Sequence, residues 1–359
     1  MLAAQRSSLR LRAPPLVWRA RARLSVPPRV VRRAPRRAFA SAEGSADEIV
    51  LPPPPPVPNP LGVHALVFSG GWSEPEARRA AEGARDAGYD ILEIPLLDPS
   101  SVDPAMTKRV LDEHGLVPTT SLGLRFDADV SSEDPEVVRR GEKLLLDALD
   151  VTAEMGARYM CGILYSALGK YPAPCSALGY RNAVDAIKRV AKAARTRGVT
   201  LGLEIVNRYE TNVLNTAEQC VAFLDAVDEP NVKAHLDSYH CNIEERSARQ
   251  AVLTLGADRL GYVHVGESHR GRLGTGSVDF VGLFWGLAEI GYEGPVVFES
   301  FSDAVVSDDL SAALCVWRST WGKGEEGEVA EEAWKYVMER IRAAEIAKDP
   351  NFDTIGDWF

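Results

Sequence analysis

Glu204, Asp237, His264 and Glu299 each close an apolar, β-branched run, in LGLEIVN, VKAHLDSYH, LGYVHVGES and GPVVFES respectively. Three carboxylates and one imidazole form a donor set for a single hard or borderline divalent cation such as Mn²⁺, Co²⁺ or Mg²⁺, and suit structural zinc less well. The four positions are 33, 27 and 35 residues apart, about one strand-plus-helix unit each time. Alone, an acid at a strand end is an ordinary helix cap and a strand histidine an ordinary core residue. Four in register on successive strands point to one shared ion. Glu93, which closes YDILEI, either reaches the same place or stabilises the interior.

Such a quartet needs a scaffold that brings successive strand ends to one rim. From Val63 the chain alternates strand and helix signals. VHALVF reads as a first strand, followed by a helix with Pro75 in its first turn and Gly88 at its end. YDILEI and LVPTTSLGL give strands two and three, and a long helix from Pro135 to Met155 repeats apolar Val138, Leu145 and Leu149 at helical spacing. ARYMCGIL is strand four, and the helix Arg181 to Arg197 stops at Gly198. After strand five, Thr216 and Gln219 make a capping box. Strands six to eight end in Asp237, His264 and Glu299. Eight such units predict an α/β fold, a single-domain (β/α)8 TIM barrel, in which the carboxyl ends of all strands share one mouth. An open doubly wound sheet would want a glycine-rich phosphate loop after its first strand. Phe68-Ser69-Gly70-Gly71-Trp72 is too weak a match for one.

The 359 residues are 45% hydrophobic and 26% charged, enough for a barrel with extra chain at both ends. The formal charge is −10, and residues 1–42 hold eleven Arg and no acid, which leaves the remainder at −21. So acidic a body argues against nucleic acid as a partner. No apolar run reaches membrane-spanning length. Five scattered Cys without a C-x-x-C pair favour reduced thiols. The Arg-, Ala- and Ser-rich stretch 1–42 reads as an organelle transit peptide, with Arg37-Ala38-Phe39-Ala40-Ser41 resembling a mitochondrial processing site. The mitochondrial matrix is the expected location and the chloroplast stroma the alternative. A Pro-rich linker, stiff where Pro52 to Pro56 follow one another, covers 43–62, the barrel 63–345 and a C-terminal tail 346–359. Within the acidic segment Glu325 to Phe359, EVAEEAWKYVMERIRAAEIA is amphipathic, with Trp334, Val337 and Ile341 on its apolar side. It forms either the eighth barrel helix or a contact with a second subunit.

The stretches LGLEIVNRYETNVLNT, HLDSYHCNIEE, HVGESHRGRLGTG and VVFES resemble the D-tagatose 3-epimerase and D-allulose (psicose) 3-epimerase group of the xylose-isomerase-like sugar isomerase and epimerase superfamily. The resemblance spans Val63 to Asp303 and is densest from Leu201 to Phe301. It implies that Glu204, Asp237, His264 and Glu299 bind one divalent metal per subunit, most simply Mn²⁺. It implies further that Glu204 and Glu299 are the acid/base pair, and that Glu210, His240 and Arg270 contact substrate oxygens near the reacting carbons. A small sugar substrate and a homo-oligomer, dimer or tetramer, follow from the same likeness. The transit peptide and the segment Glu325 to Phe359 depart from the group's pattern, and the pocket residues of the first half do not align with it.

The residue types also make chemical sense on their own. Inverting C3 of a ketose means removing a proton beside the C2 carbonyl, and the enediolate that forms needs positive charge nearby. One carboxylate takes the proton from one face and a second returns it to the other. His240 and Arg270 are donors for sugar oxygens, and Glu210 is an acceptor for a hydroxyl. Arg270 could instead pair with Glu267, and Glu210 with Arg208. Phe68, Trp72 and the stretch Ile163 to Tyr171 are expected to roof the sugar. Gly271, Gly274 and Gly276 let the loop after strand seven fold beside the site or serve as plain turn residues. An aldose–ketose isomerase, including one acting on hydroxypyruvate, and an inosose-type dehydratase are rival activities. An endonuclease IV-like barrel would need a His-rich metal cluster and a basic face. A barrel retained only for binding would lack turnover.

Overall fold

A computed structural model of the chain describes residues 57–348. The segment 1–42, residues 43–56 of the Pro-rich stretch and residues 349–359 lie outside the described residues. Eight parallel strands close on themselves in chain order: β1 (Leu61–His64), β2 (Ile91–Pro95), β3 (Val117–Leu124), β4 (Tyr159–Ala167), β5 (Thr200–Ile205), β6 (Val232–Asp237), β7 (Leu260–Val265) and β8 (Val296–Phe298). β1 pairs with both β2 and β8, which shuts the cylinder. Ten α-helices are described: α1 (Glu74–Ala87), α2 (Pro104–His114), α3 (Pro135–Glu154), α4 (Ala177–Thr196), α5 (Ala217–Val227), α6 (Ser238–Glu244), α7 (Ala248–Arg259), α8 (Phe280–Glu289), α9 (Asp308–Ala313) and α10 (Glu326–Lys348). None is long and apolar enough to cross a membrane. The five cysteines are free thiols.

Local chemistry sets the ends of these elements. Glu76 reaches back to the Ser73 N–H at 2.8 Å, Pro75 sits in the first turn of α1, and Gly88 ends that helix in the left-handed conformation. Thr216 and Gln219 form the expected box at α5. α4 begins at Ala177, four residues before the expected Arg181, because the Ser176 hydroxyl accepts from the Gly179 N–H and starts the helix there. The first strand begins at Leu61, inside the stretch 43–62 read as linker, and stops at His64, where the 3-10 turn Ala65–Val67 takes over. The helix of the C-terminal segment, α10, packs between α8 and α1 with Val337 and Ile341 buried, and Tyr89 ties it down by a 2.9 Å bond to the Ala330 carbonyl. It completes the outer ring of helices.

The strands that carry the site have almost continuous buried runs, as parallel strands covered by helices must. The interior also admits polar groups. Glu93, His235, Tyr262 and His264 are all buried inside the cylinder. β3 and β4 slip register between Gly123 and Leu124, and Gly162 sits at that irregularity with φ of +111°. A Cβ on Gly162 would come within 2.3 Å of the Leu122 carbonyl oxygen, so both the backbone angle and the space demand glycine. Gly162→Ala is therefore expected to destabilise the barrel by about 2–3 kcal/mol. Urea unfolding of the two proteins measures it, and an unchanged midpoint would refute the strain argument.

Candidate metal centre and active site

β5, β6, β7 and β8 deliver the four predicted ligands to one mouth. Glu204 lies within β5, Asp237 ends β6, His264 is the penultimate residue of β7, and Glu299 follows β8 directly. Ligand atoms of Asp237, His264 and Glu299 lie within 4.8 Å of one another, and Glu204 joins Asp237 and His240 in a second such group. Asp237 and His264 are register partners, so adjacent strands hold the two side chains side by side. All four are less than a tenth exposed. Glu204, His264 and Glu299 line one cavity together with Glu210, His240 and Arg270, and Asp237 lies buried beside it. The three predicted substrate contacts thus meet the four predicted ligands in one place.

The electrostatics of this cluster call for a cation. Burial raises Glu204 well above the ordinary carboxylate range, and the nearby Glu299 and Asp237 push the same way. Burial also lifts Glu299 to about 7, against the pull of Arg270 and His264. Burial would raise Asp237 too, but Arg270 and the surrounding imidazoles outweigh it and hold that carboxyl low. His264 runs opposite to an ordinary buried histidine. Desolvation alone would lower it, yet Glu93 and Glu299 take it up to about 10. Its Nδ1 is buried without a hydrogen-bond partner and faces Glu299 at 3.5 Å and Asp237 at 3.9 Å. A buried imidazole nitrogen among carboxylate oxygens is a fitting place for a divalent metal.

Each predicted substrate contact has a distinct support. His240 Nδ1 accepts from the backbone N–H of Asn207 at 3.2 Å and from its side-chain amide at 2.8 Å. The hydrogen of the neutral ring must then sit on Nε2, which points to Glu204 at 3.6 Å. Glu210 accepts from the Asn207 amide at 2.7 Å, while Arg208 turns away to Glu244. The pairing of Glu210 with Arg208 is therefore ruled out. Arg270 does not pair with Glu267 either. Its guanidinium donates to Asp237 at 3.1 Å and to Glu299, and it stacks over Tyr239 at 3.8 Å. Arg270 has φ of +58°, a strained value for a side chain of its size, held because its N–H bonds the Glu267 carbonyl. Glu267 in turn takes backbone N–H bonds from Ser268, Gly274 and Val278, so the glycine loop wraps around this carboxylate.

Two of the expected roof residues go elsewhere. Because β1 gives way to the 3-10 turn, Phe68 rotates into the core against Gly83 of α1 instead of over the cavity. Trp72 spends its indole N–H on Thr107 at 2.9 Å. Ile163 and Leu168, within the expected stretch, do line the cavity, and Phe301, Leu310 and Leu314 join them from the segment after β8. Sequence reasoning also missed His64, Tyr262 and His235. His64 reaches the cavity from β1, with its Nε2 3.2 Å from the Ser121 hydroxyl. Glu93 lies beneath the ligands, bonded to His264.

This geometry can be set beside known proteins. Residues 81–320 match the family described as xylose isomerase-like TIM barrel. The chain belongs to that family. Within the family it is 51% identical over 283 residues to a ketose 3-epimerase of Arthrobacter globiformis, covering 79% of this chain and 97% of that one. It is 50% identical over 279 residues to an L-ribulose 3-epimerase of Methylomonas sp. (strain DH-1), covering 78% and 96%. A solved D-allulose 3-epimerase from Methylomonas sp., in complex with D-allulose, superposes with a TM-score of 0.77 at 49% identity, over 79% of this chain and 98% of that chain.

Proposed function

We propose that this protein is a divalent-metal-dependent isomerase that inverts C3 of a free ketose. The observation that carries the reading is the convergence of two raised glutamates, Glu204 and Glu299, on one cavity with an unpartnered His264 Nδ1 and a low Asp237. The ketose 3-epimerase relatives at about half identity supply the substrate class. Glu204, Asp237, His264 and Glu299 hold the metal, with Mn²⁺ the ion this donor set suits best. When bound, the ion supplies positive charge beside the C2 carbonyl as the neighbouring C–H acidifies.

The chain's own groups perform the proton movements. One of Glu204 and Glu299 removes the C3 proton, and burial, which raises both carboxyls, makes each a stronger base than an exposed carboxylate. The electron pair moves from the C3–H bond into the C2–C3 bond and on to O2. The second glutamate returns a proton to the opposite face of C3, which gives the epimer. His240 Nε2–H and the Arg270 guanidinium orient the oxygens next to the reacting carbons, and Glu210 accepts a hydroxyl. Which glutamate acts first depends on the configuration of the ketose. The apolar Ile163, Leu168 and Phe301 cover the sugar and exclude water from the enediolate.

The same reading includes import into the mitochondrial matrix, supported by the Arg-rich, acid-free composition of residues 1–42. It includes a dimer or tetramer, supported by exposed Tyr209, Ile243 and Trp317 around one cavity at the rim. Incubation with D-fructose, D-tagatose and D-allulose in D₂O with Mn²⁺ tests the activity. The expected result is a C3-epimeric ketose carrying deuterium at C3. Deuterium at C1 with an aldose product would overturn it in favour of an aldose–ketose isomerase, and loss of water in favour of a dehydratase.

A further inference from the structure

We propose that Glu93 is a positioning residue of the metal centre, reaching across the barrel interior to fix His264 so that Nδ1 faces the carboxylates. This rests on the reading that the cluster holds a divalent metal. β2 carries Glu93 and β7 carries His264, with β1 and β8 between them in the closed strand order, so the two side chains meet across the interior rather than along a strand pair. Glu93 is fully buried. Its Oε2 accepts from His264 Nε2 at 2.8 Å and from the Tyr262 hydroxyl at 2.9 Å. An ionised carboxylate only accepts, so Nε2 must carry a hydrogen, and the lone pair that can meet a metal belongs to Nδ1. Tyr262 spends its hydrogen on Glu93, so the Thr119 hydroxyl at 2.8 Å donates to Tyr262 in turn. Donation therefore runs from Thr119 through Tyr262 to Glu93, which accepts from His264 on its other side, and the imidazole Nδ1 is left free to face the cavity.

The surroundings make this a built arrangement. Tyr262 is stacked on Tyr159 at 4.7 Å and edge-on to His235, which also meets His264 at 4.1 Å between ring centroids. The His264 ring is thus boxed on one edge and tied at Nε2. Glu93 Oε1 makes no hydrogen bond and lies 3.5 Å from His64 Nε2. A leucine would fill this layer without the cost of burying a charge, so the carboxylate contributes orientation and negative charge behind the ligand rather than packing.

The test measures Mn²⁺ and Co²⁺ dissociation constants by competition with a chelating indicator, together with the visible absorption of the Co²⁺ protein. The wild type is compared with Glu93→Gln, Glu93→Leu and Tyr262→Phe, and circular dichroism and melting of each metal-free protein establish folding. Glu93→Gln is expected to weaken metal binding by about 10- to 100-fold and to shift the Co²⁺ bands. Glu93→Leu is expected to weaken it further, and Tyr262→Phe less, since it removes one bond to Glu93 and leaves His264 untouched. That ordering, in proteins that melt alike, separates positioning from a merely structural role. Variants that bind both ions within twofold of wild type, with unshifted Co²⁺ bands, overturn the assignment while leaving the epimerase reading intact. If the Glu93 variants do not fold, an unaltered affinity and spectrum in Tyr262→Phe overturns it alone. A wild type that takes up neither ion overturns both readings.

Discussion

Glu299→Gln and Glu204→Gln are each expected to lower kcat for epimerisation by at least about a thousandfold, toward the upper range for loss of a positioned acid or base. Both side chains face the cavity from strands on different parts of the rim, and both are held above the ordinary carboxylate range, chiefly by burial. An amide keeps the shape and can still offer one oxygen to a metal, but it cannot take or return a proton. The fold should survive, because neither residue belongs to the apolar core and neutralising one carboxylate reduces repulsion within the cluster. A finer readout follows from the geometry. With one glutamate left, the ketose whose C3–H faces that residue should still exchange C3 hydrogen with D₂O, though it cannot invert. Steady-state kinetics of the folded variants, with NMR detection of exchange, measures both. Near-normal turnover in either variant would remove that residue from the proton path.

Chelator treatment is expected to abolish turnover, and metal affinity is expected to fall as pH falls. The sign follows from the groups that must lose protons. His264 is raised to about 10, so metal binding near pH 8 displaces about one proton from it. Glu299 is raised to about 7, chiefly by burial, and Glu204 is raised as well, so below neutrality these protons must also leave. The release should be at least one proton per metal near pH 8 and about one more near pH 6 as Glu299 takes up its proton, and log Kd should change by about the same number per pH unit. Asp237 is held low by Arg270 and adds nothing in this range. Bound metal should also raise the melting temperature, by about 4 kcal/mol of stabilisation at a thousandfold excess over Kd. Calorimetric titration in buffers of different ionisation enthalpy gives the proton count. An affinity independent of pH between 6 and 8 would contradict the assignment of His264 and Glu299 as ligands.

Much of the site was legible in the chain because the barrel converts sequence spacing into position. Parallel strands joined by right-handed crossovers place all their carboxyl ends on one rim, so acids and an imidazole at four successive strand ends must meet. The side-chain period of two then decides that Asp237 and His264 face inward together. The stop of α1 at Gly88 and the cap at Thr216 were equally readable, because such signals involve only neighbours in the sequence. What lies beyond neighbours was not. Nothing in YDILEI states that Glu93 meets a histidine 171 residues away, since that contact depends on the diameter of the closed cylinder. The inward course of Arg270 needs a left-handed residue pinned by its loop, and the outward fate of Phe68 needs a strand that already ends at His64. Spacing and residue type alone determined the candidate ligand set, its shared rim and the kind of chemistry such a set can do. The tertiary structure decided what holds those ligands from behind and which apolar groups cover the sugar, because both depend on distances across the barrel and on loop backbone angles that no local pattern encodes.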